Sequence, residues 1–216
     1  MAWNLDNDIA PAGWSLKAPV PPIRVTPGMY PLAHDTDQAA VTLIAPNMEN
    51  GPWIAGGAPL RWELGESVDL HHDIDVWFRD PEQFSAAVLR VREHADIVIE
   101  TPNAHTYRFY YSDEGTRTIQ LVKANFFNSA QDVIEHFDFS VCQIVTDGKT
   151  IRYGEHTRAD ICARRLRVVK SRDDCAKRIV KYLAYGFKMS LEDIRENFAM
   201  TKTWQFTHED YEAVKL

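Results

Sequence analysis

The clearest alternation of polar and apolar positions lies at residues 73–78, which read DIDVWF. Such alternation predicts a half-buried β-strand. Because strand side chains point to opposite faces in turn, Asp73 and Asp75 share one face of that strand. Trp77 and Phe78 continue the strand, which favours a central position in a sheet over an edge. An alternative interpretation is a solvated face on an edge strand.

The segment before this strand predicts a strand, a tight turn and a helix. An apolar run at residues 53–55 is closed by Gly56 and Gly57, and an amphipathic stretch follows. Glycine lets the backbone turn and approach a ligand closely, and N–H groups at the start of a helix can bind phosphate.

Two neighbouring carboxylates repel each other unless a cation lies between them. Mg²⁺ takes its ligands from one or two carboxylates together with substrate phosphates. The two aspartates and the two glycines therefore predict a metal–phosphate site.

The remaining pattern predicts an α/β or α+β chain in three sections. Residues 1–50 are rich in proline and are expected to form an arm packed on the core, residues 51–190 the core, and residues 191–216 a helix (Leu191–Met200) and a tail. Within the core we expect a helix over residues 81–95 and hairpins at residues 106–123 and 144–153. We also expect a helix capped by Ser129 and a strand containing Asp138.

The Gly-Gly pair, the short helix and the Asp-x-Asp strand resemble the DNA polymerase β-like nucleotidyltransferase superfamily. The nearest members in style are the head domains of CCA-adding and poly(A) polymerases. Arg61 falls one place later than in that family's motif, and the aspartate usually beside the arginine is absent. The Phe-Asp-Phe-Ser segment at residues 137–140 is similar to a further strand of the superfamily. Residues 171–190, with Gly186-Phe187 near their end, are similar to the helix after the catalytic sheet.

The resemblance implies a mixed, twisted sheet with helices packed mainly on one side. It also implies transfer of a nucleoside monophosphate from an NTP to an acceptor hydroxyl, with release of pyrophosphate. Asp73 and Asp75 would hold two Mg²⁺ ions. Asp138 would be either a third metal ligand and base or a ribose contact. The nucleotide-binding residues would be Gly56, Gly57, Arg61, Lys177, Arg178 and Lys181.

Charge and composition narrow the partners. The net charge is −7, yet residues 164–181 carry eight Lys or Arg and only two Asp. A local basic patch on an acidic chain suits a triphosphate or one strand end better than a long duplex. The partners expected are an NTP and an RNA end or protein acceptor. A catalytically silent nucleotide-binding or regulatory module of the same fold is the alternative.

Other classes are less favoured by the sequence. Three cysteines without paired spacing indicate neither a zinc ribbon nor a disulfide framework. No P-loop or serine-hydrolase elbow occurs. His71-His72 before Asp73 is compatible with a His-Asp hydrolase, which needs further ligands from separate helices. With neither a signal peptide nor a long apolar run, we expect a soluble, cytoplasmic protein without membrane contact.

Overall fold

The structure is a computed structural model, and it describes residues 41–66, 72–111, 115–170, 172, 175–191 and 193. Residues 41–44 are helical. Most of the expected N-terminal arm and nearly all of the expected helix Leu191–Met200 lie outside the described residues. The division into three sections stays a prediction.

Seven strands form one mixed sheet in the order β3-β4-β5-β2-β1-β6-β7. The strands are β1 (Trp53–Ala55), β2 (Asp73–Phe78), β3 (Ile97–Glu100), β4 (Ala104–Tyr111), β5 (Gly115–Phe126), β6 (Ile144–Thr146) and β7 (Ile151–Tyr153). The pairing of β2 with β5 is parallel, and the other pairings are antiparallel. The expected central position of the Asp-x-Asp strand is confirmed, because β2 has a neighbour on each side.

Besides the helical residues 41–44, five α-helices pack around this sheet within the described residues. They are α1 (Gly57–Glu63), α2 (Pro81–Arg92), α3 (Ala130–His136), α4 (Thr157–Cys162) and α5 (Cys175–Ala184). The capping predicted from the sequence is confirmed at α3, where the Ser129 hydroxyl accepts a hydrogen bond from the Asp132 N–H at 3.2 Å. At α2, the Asp80 carboxylate caps Gln83 N–H at 2.7 Å, and Pro81 occupies the first turn.

The core lies on both faces of the sheet. Ile74 and Val76 of β2 pack with α2 on one face, in a cluster that includes Phe84, Ala87 and Val91. Trp77 packs on the other face, where α3, α4 and α5 contribute buried residues to a second cluster. Helices α3, α4 and α5 therefore lie on one face, whereas α2, together with buried residues of α1 and of residues 41–44, lies on the other. The predicted fold class, a mixed sheet with helices mainly on one side, is confirmed.

The prediction of a strand around Asp138 is wrong. Asp138 lies in a bend, Phe139 makes a single bridge to Val168, and Ser140–Cys142 form a 3₁₀ helix. The cause is hydrogen bonding to residues of two later segments, which takes the place of a strand ladder. The Thr157 hydroxyl donates to the Ser140 carbonyl at 2.8 Å, and the Asp138 carbonyl accepts from Val169 N–H at 2.7 Å.

None of the described helices is long and apolar enough to cross a membrane.

Candidate active site

The aspartates of β2 face the same side of the sheet as polar residues of the two neighbouring strands. Asp73 lies opposite Thr118 of β5, which lies opposite Arg108 of β4. Residues that are directly opposite on paired strands point to the same face. The predicted common face of Asp73 and Asp75 follows from the regular strand, and it is opposite to the face that Ile74 and Val76 bury.

The second aspartate is in a similar row. Asp75 lies opposite Gln120, and Gln120 lies opposite Thr106, whose hydroxyl is 3.5 Å from the Gln120 side-chain nitrogen. Asp75 is half-buried, whereas Asp73 is exposed. Solvent therefore has access to Asp73, whereas Asp75 is partly covered by the surrounding protein.

Both carboxyl groups hold their protons more tightly than a free aspartic acid. Burial raises the pKa of Asp75 to about 7, with the negative charge of Asp73 as the second cause, while Lys181 and Arg178 act in the opposite direction. Partial desolvation of its carboxyl group also raises the pKa of Asp73, although the residue as a whole is exposed, against the lowering effects of Arg108 and Lys181. Raised pKa values from burial and a like charge are typical of functional sites.

Gly56 has a conformation and surroundings that only glycine suits. Its φ is +87°, and a Cβ at this position would lie 3.0 Å from a Phe137 ring carbon and 3.9 Å from an Asp75 carboxylate oxygen. Its N–H donates to the Ile144 carbonyl at 3.3 Å. The phosphate contact predicted for this N–H is therefore in conflict with its observed partner, and the role of Gly56 that the contacts support is close packing beside Asp75.

Gly57 differs from its neighbour. It is the first residue of α1, and a Cβ added to it would meet no described atom within 4 Å. Open space beside a helix start near the carboxylates leaves room for a ligand. The predicted nucleotide contact of Gly57 stays a prediction.

Helix α5 brings two of the three predicted basic residues to the carboxylates. Arg178 and Lys181 both lower the pKa of Asp75, and Lys181 also acts on Asp73. They are three residues apart and so lie on one helix face. Lys177 is exposed to solvent, and its predicted nucleotide contact stays untested.

Arg61 reaches the site through a cluster that also holds His72 and Tyr185. Its guanidinium lies 5.0 Å from the centre of the Tyr185 ring and 3.3 Å from the Glu66 carboxylate, and it contacts His72 Nε2. His72 Nε2 is also 2.9 Å from the Tyr185 hydroxyl. Arg61 is therefore beside the residue that precedes Asp73.

Asp138 is fully buried and forms an ion pair with Arg178, with 3.0 Å between Arg178 Nη2 and Asp138 Oδ1. The Arg178 guanidinium also lies 5.5 Å from the centre of the Phe139 ring. Among the described residues, no three His, Cys, Asp or Glu side chains are grouped so as to hold a metal ion. Asp138 is connected to Asp75 by way of Arg178, which acts on both.

Two further residues of the site, Arg108 and Tyr185, are not among those predicted from the sequence. Arg108 is exposed on the carboxylate face and gives the largest favourable charge effect on Asp73. The alternation within residues 104–111 places it on a strand face, but the strand neighbour that brings it to Asp73 is set by pairing across the sheet. Tyr185 directly precedes Gly186-Phe187, the pair that carries the resemblance of residues 171–190, and this position is the sequence signal for it.

The sheet order and the Asp-x-Asp strand define a nucleotidyltransferase fold. Solved CCA-adding enzymes are similar in structure: one from Thermotoga maritima in complex with tRNA has a TM-score of 0.56 at 13% identity, over 84% of this chain and 47% of the enzyme. One from Bacillus stearothermophilus in complex with CTP has a TM-score of 0.54 at 17% identity, over 80% of this chain and 44% of the enzyme. A third, in complex with ATP, has a TM-score of 0.52 at 12% identity, over 77% of this chain and 43% of the enzyme.

The chain thus spans less than half the length of these enzymes. The predicted similarity to the head domain of CCA-adding enzymes is confirmed at the level of the fold. No curated protein matches the sequence. Residues 33–164, more than half of the chain, match the model of the Gabija anti-defense 2 (Gad2) family. The chain belongs to that family.

Proposed function

We propose that this chain is a Mg²⁺-dependent nucleotidyltransferase, which transfers a nucleoside monophosphate from an NTP to an acceptor hydroxyl and releases pyrophosphate. The observation that carries the proposal is the Asp73–Asp75 pair on one strand face, where the pKa of Asp75 is raised to about 7 beside Arg178 and Lys181. The nucleotidyltransferase fold supports the same reaction class.

A divalent cation suits the donors of this site. Two carboxylates that repel each other in a partly desolvated position are stabilised by a cation between them, and carboxylate oxygen is the ligand that Mg²⁺ prefers. Asp73 and Asp75 would hold the metal, for which the resemblance implies two ions. When bound, Mg²⁺ would neutralise phosphate charge and lower the pKa of the attacking hydroxyl.

The chain's own residues would then bind and orient the triphosphate. Arg178 and Lys181 supply positive charge from α5, and Arg61 supplies it from α1. Fixed cations next to a site where negative charge develops favour the transition state because they need no reorganisation during the reaction. Gly57 would leave space for a phosphate to approach the backbone.

In this proposal Asp138 acts through Arg178. The sequence left two roles open, metal ligand with base, or ribose contact, and each needs the carboxylate to reach the substrate. The pairing of the buried Asp138 carboxylate with Arg178 at 3.0 Å favours a positioning role instead. Asp138 would hold the guanidinium where it faces Asp75.

The acceptor is proposed from the family. The Gad2 name describes proteins directed against a defence called Gabija. We propose that the acceptor is a hydroxyl on a component of that defence or on a nucleic acid or small molecule that it uses. An RNA end is included, because one of the similar CCA-adding enzymes is in complex with tRNA.

The rival function is a catalytically silent module that binds a nucleotide. The observation that favours it is the ion pair of Asp138 with Arg178 at 3.0 Å, which engages the carboxylate that the resemblance gives as a third metal ligand. A silent module would counter a defence by binding alone. Transfer of a nucleoside monophosphate to an acceptor distinguishes the enzyme from the silent module, because only the enzyme performs it.

The test uses each NTP labelled at the α-phosphate, with Mg²⁺ and an extract that contains the defence components. We expect label to be incorporated into one acceptor by the wild-type chain, and incorporation to fall at least 100-fold in Asp73→Asn and Asp75→Asn. Glu82→Gln is the matched control, because Glu82 is an exposed carboxylate on α2, which packs on the opposite face of the sheet. Normal incorporation by either aspartate variant would refute the proposed site.

A further inference from the structure

Two cations from distant parts of the chain meet at one aromatic ring beside the candidate active site. The Arg61 guanidinium lies 5.0 Å from the centre of the Tyr185 ring, and Lys181 Nζ lies 5.8 Å from it. A cation near a ring face is attracted by the ring's quadrupole. The two cations repel each other. Glu66, 3.3 Å from Arg61, and the two aspartates on which Lys181 acts offset part of this repulsion, and an anion bound between the two cations would offset more of it.

The position of Tyr185 is fixed by contacts on several sides. Its hydroxyl is 2.9 Å from His72 Nε2, and its ring packs 6.0 Å from the Tyr182 ring. Its N–H donates to the Lys181 carbonyl at 3.2 Å. The ring is therefore held at the end of α5, and it is still 37% exposed, so a ligand can reach it.

The cluster adjoins the carboxylate pair. His72 directly precedes Asp73, and Lys181 acts on the charge of both Asp73 and Asp75. The positive charge of Arg61 and Lys181 thus adjoins the proposed metal-binding carboxylates. A polyphosphate chain with its divalent cation has the complementary distribution of charge.

We propose that Tyr185 is a positioning residue, whose ring holds Arg61 and Lys181 as a two-cation clamp for the polyphosphate part of the NTP. The inference rests on the proposed function, since it concerns how that site binds its substrate. The ring face does the positioning, and the hydroxyl bond to His72 only orients the ring.

The experiment compares Tyr185→Leu, which removes the ring, with Tyr185→Phe, which keeps the ring and loses the hydroxyl. Binding of inorganic tripolyphosphate and of a non-hydrolysable ATP analogue, each with Mg²⁺, is measured by calorimetry. We expect Tyr185→Leu to weaken both about tenfold and Tyr185→Phe to stay within about threefold of the wild type. Binding of adenosine, which has no phosphate, should be equal in all three proteins.

Tyr153→Leu is the matched control. Tyr153 also carries a cation on its ring, Arg158 at 5.5 Å, but it lies on β7 and contacts Glu63. This variant should bind tripolyphosphate like the wild type. Where transfer is measurable, Tyr185→Leu should raise KM for the NTP about tenfold with kcat within about twofold.

Several results would overturn the inference: unchanged tripolyphosphate binding in Tyr185→Leu, equal losses in Tyr185→Phe, or an equal loss for adenosine. A wild-type chain that does not bind tripolyphosphate would overturn it as well. Because the binding arms need no turnover, a chain that binds tripolyphosphate as described but transfers no nucleotide would refute the proposed function alone.

Discussion

Replacing Asp75 by asparagine should stabilise the metal-free protein at neutral and alkaline pH. In the folded chain, burial and the charge of Asp73 raise the pKa of Asp75 to about 7, whereas an unfolded chain ionises this group near 3.8. A raised pKa means that the folded state binds the proton more tightly. The contribution of Asp75 to the free energy of unfolding therefore falls as the pH rises from about 4 to 7 and stays low above that range.

The size of the effect follows from the two pKa values. A pKa of about 7 in place of 3.8 corresponds to an upper limit of about 4 kcal/mol at pH 8. Asp75 keeps partial contact with solvent, and the folded state can relax around the charge. We therefore expect Asp75→Asn to raise the free energy of unfolding by about 2 kcal/mol at pH 8.

The assay is urea unfolding in the presence of a chelator, followed by tryptophan fluorescence, at pH values from 4 to 8. The gain in Asp75→Asn should shrink towards pH 4, and Glu82→Gln should show no such pH dependence. Added Mg²⁺ should stabilise the wild type more than the variant, because the cation offsets the same repulsion. A variant that is no more stable than the wild type at pH 8, or a gain that is independent of pH, would refute the reasoning.

The other predictions use variants at four further positions. Gly56→Ala should lower the free energy of unfolding by about 2–4 kcal/mol, because Gly56 has a positive φ and an added Cβ would lie 3.0 Å from the Phe137 ring. Gly57→Ala should not destabilise the chain, because an added Cβ meets no described atom within 4 Å. Equal urea midpoints for the two variants would contradict this. Gly57→Val should nevertheless weaken the binding of a non-hydrolysable NTP by about tenfold in calorimetry, and unchanged affinity would remove Gly57 from the site. Asp138→Ala should raise KM for ATP and dATP alike if Asp138 positions Arg178. Lost selectivity for ATP would support the ribose contact, and a loss of kcat alone the metal ligand.

Asp160 provides the opposite pH dependence to Asp75. Burial acts to raise the pKa of Asp160, but hydrogen bonds from Arg167 at 2.8 Å and Ser140 at 2.7 Å outweigh it, so the pKa is lowered.

The ionised Asp160 carboxylate therefore stabilises the folded chain at pH values above the pKa that Asp160 has when unfolded. This stabilisation is lost as the pH falls below about 4. Asp160→Asn should cost about 2 kcal/mol at pH 7 in urea unfolding and less at pH 3. A cost that grows towards low pH would contradict this account.

The parts of the site that follow from local patterns were predictable. Alternation in the chain places Asp73 and Asp75 on one face, and the capping serine and the proline at a helix start act within one turn of their own positions. The glycine pair also predicts the observed turn into α1, because glycine adopts the positive φ that Gly56 has there.

The parts that depend on distant segments were not predictable from one sequence. Arg108 comes to Asp73 through the parallel pairing of β2 with β5, whose register is set by the whole sheet. Tyr185 meets Arg61 only because α5 ends beside α1. The Asp138 segment has strand-like alternation, but it forms a bend and a 3₁₀ turn because Ser140 is bonded to residues about twenty positions later. The Ser140 carbonyl accepts from the Thr157 hydroxyl, and the Ser140 hydroxyl donates to the Asp160 carboxylate.

In the proposed function, the pair Asp73 and Asp75 catalyses transfer of a nucleoside monophosphate to an acceptor and does more than bind a nucleotide. The most direct measurement is the amount of pyrophosphate released, compared with the amount of α-phosphate label that becomes bound to an acceptor. It is made with Mg²⁺, all four NTPs and an extract containing the defence components. We expect one pyrophosphate for each labelled group transferred by the wild type, and neither product from Asp75→Asn. Tight NTP binding by the wild type without any pyrophosphate release would contradict it and would establish the silent module.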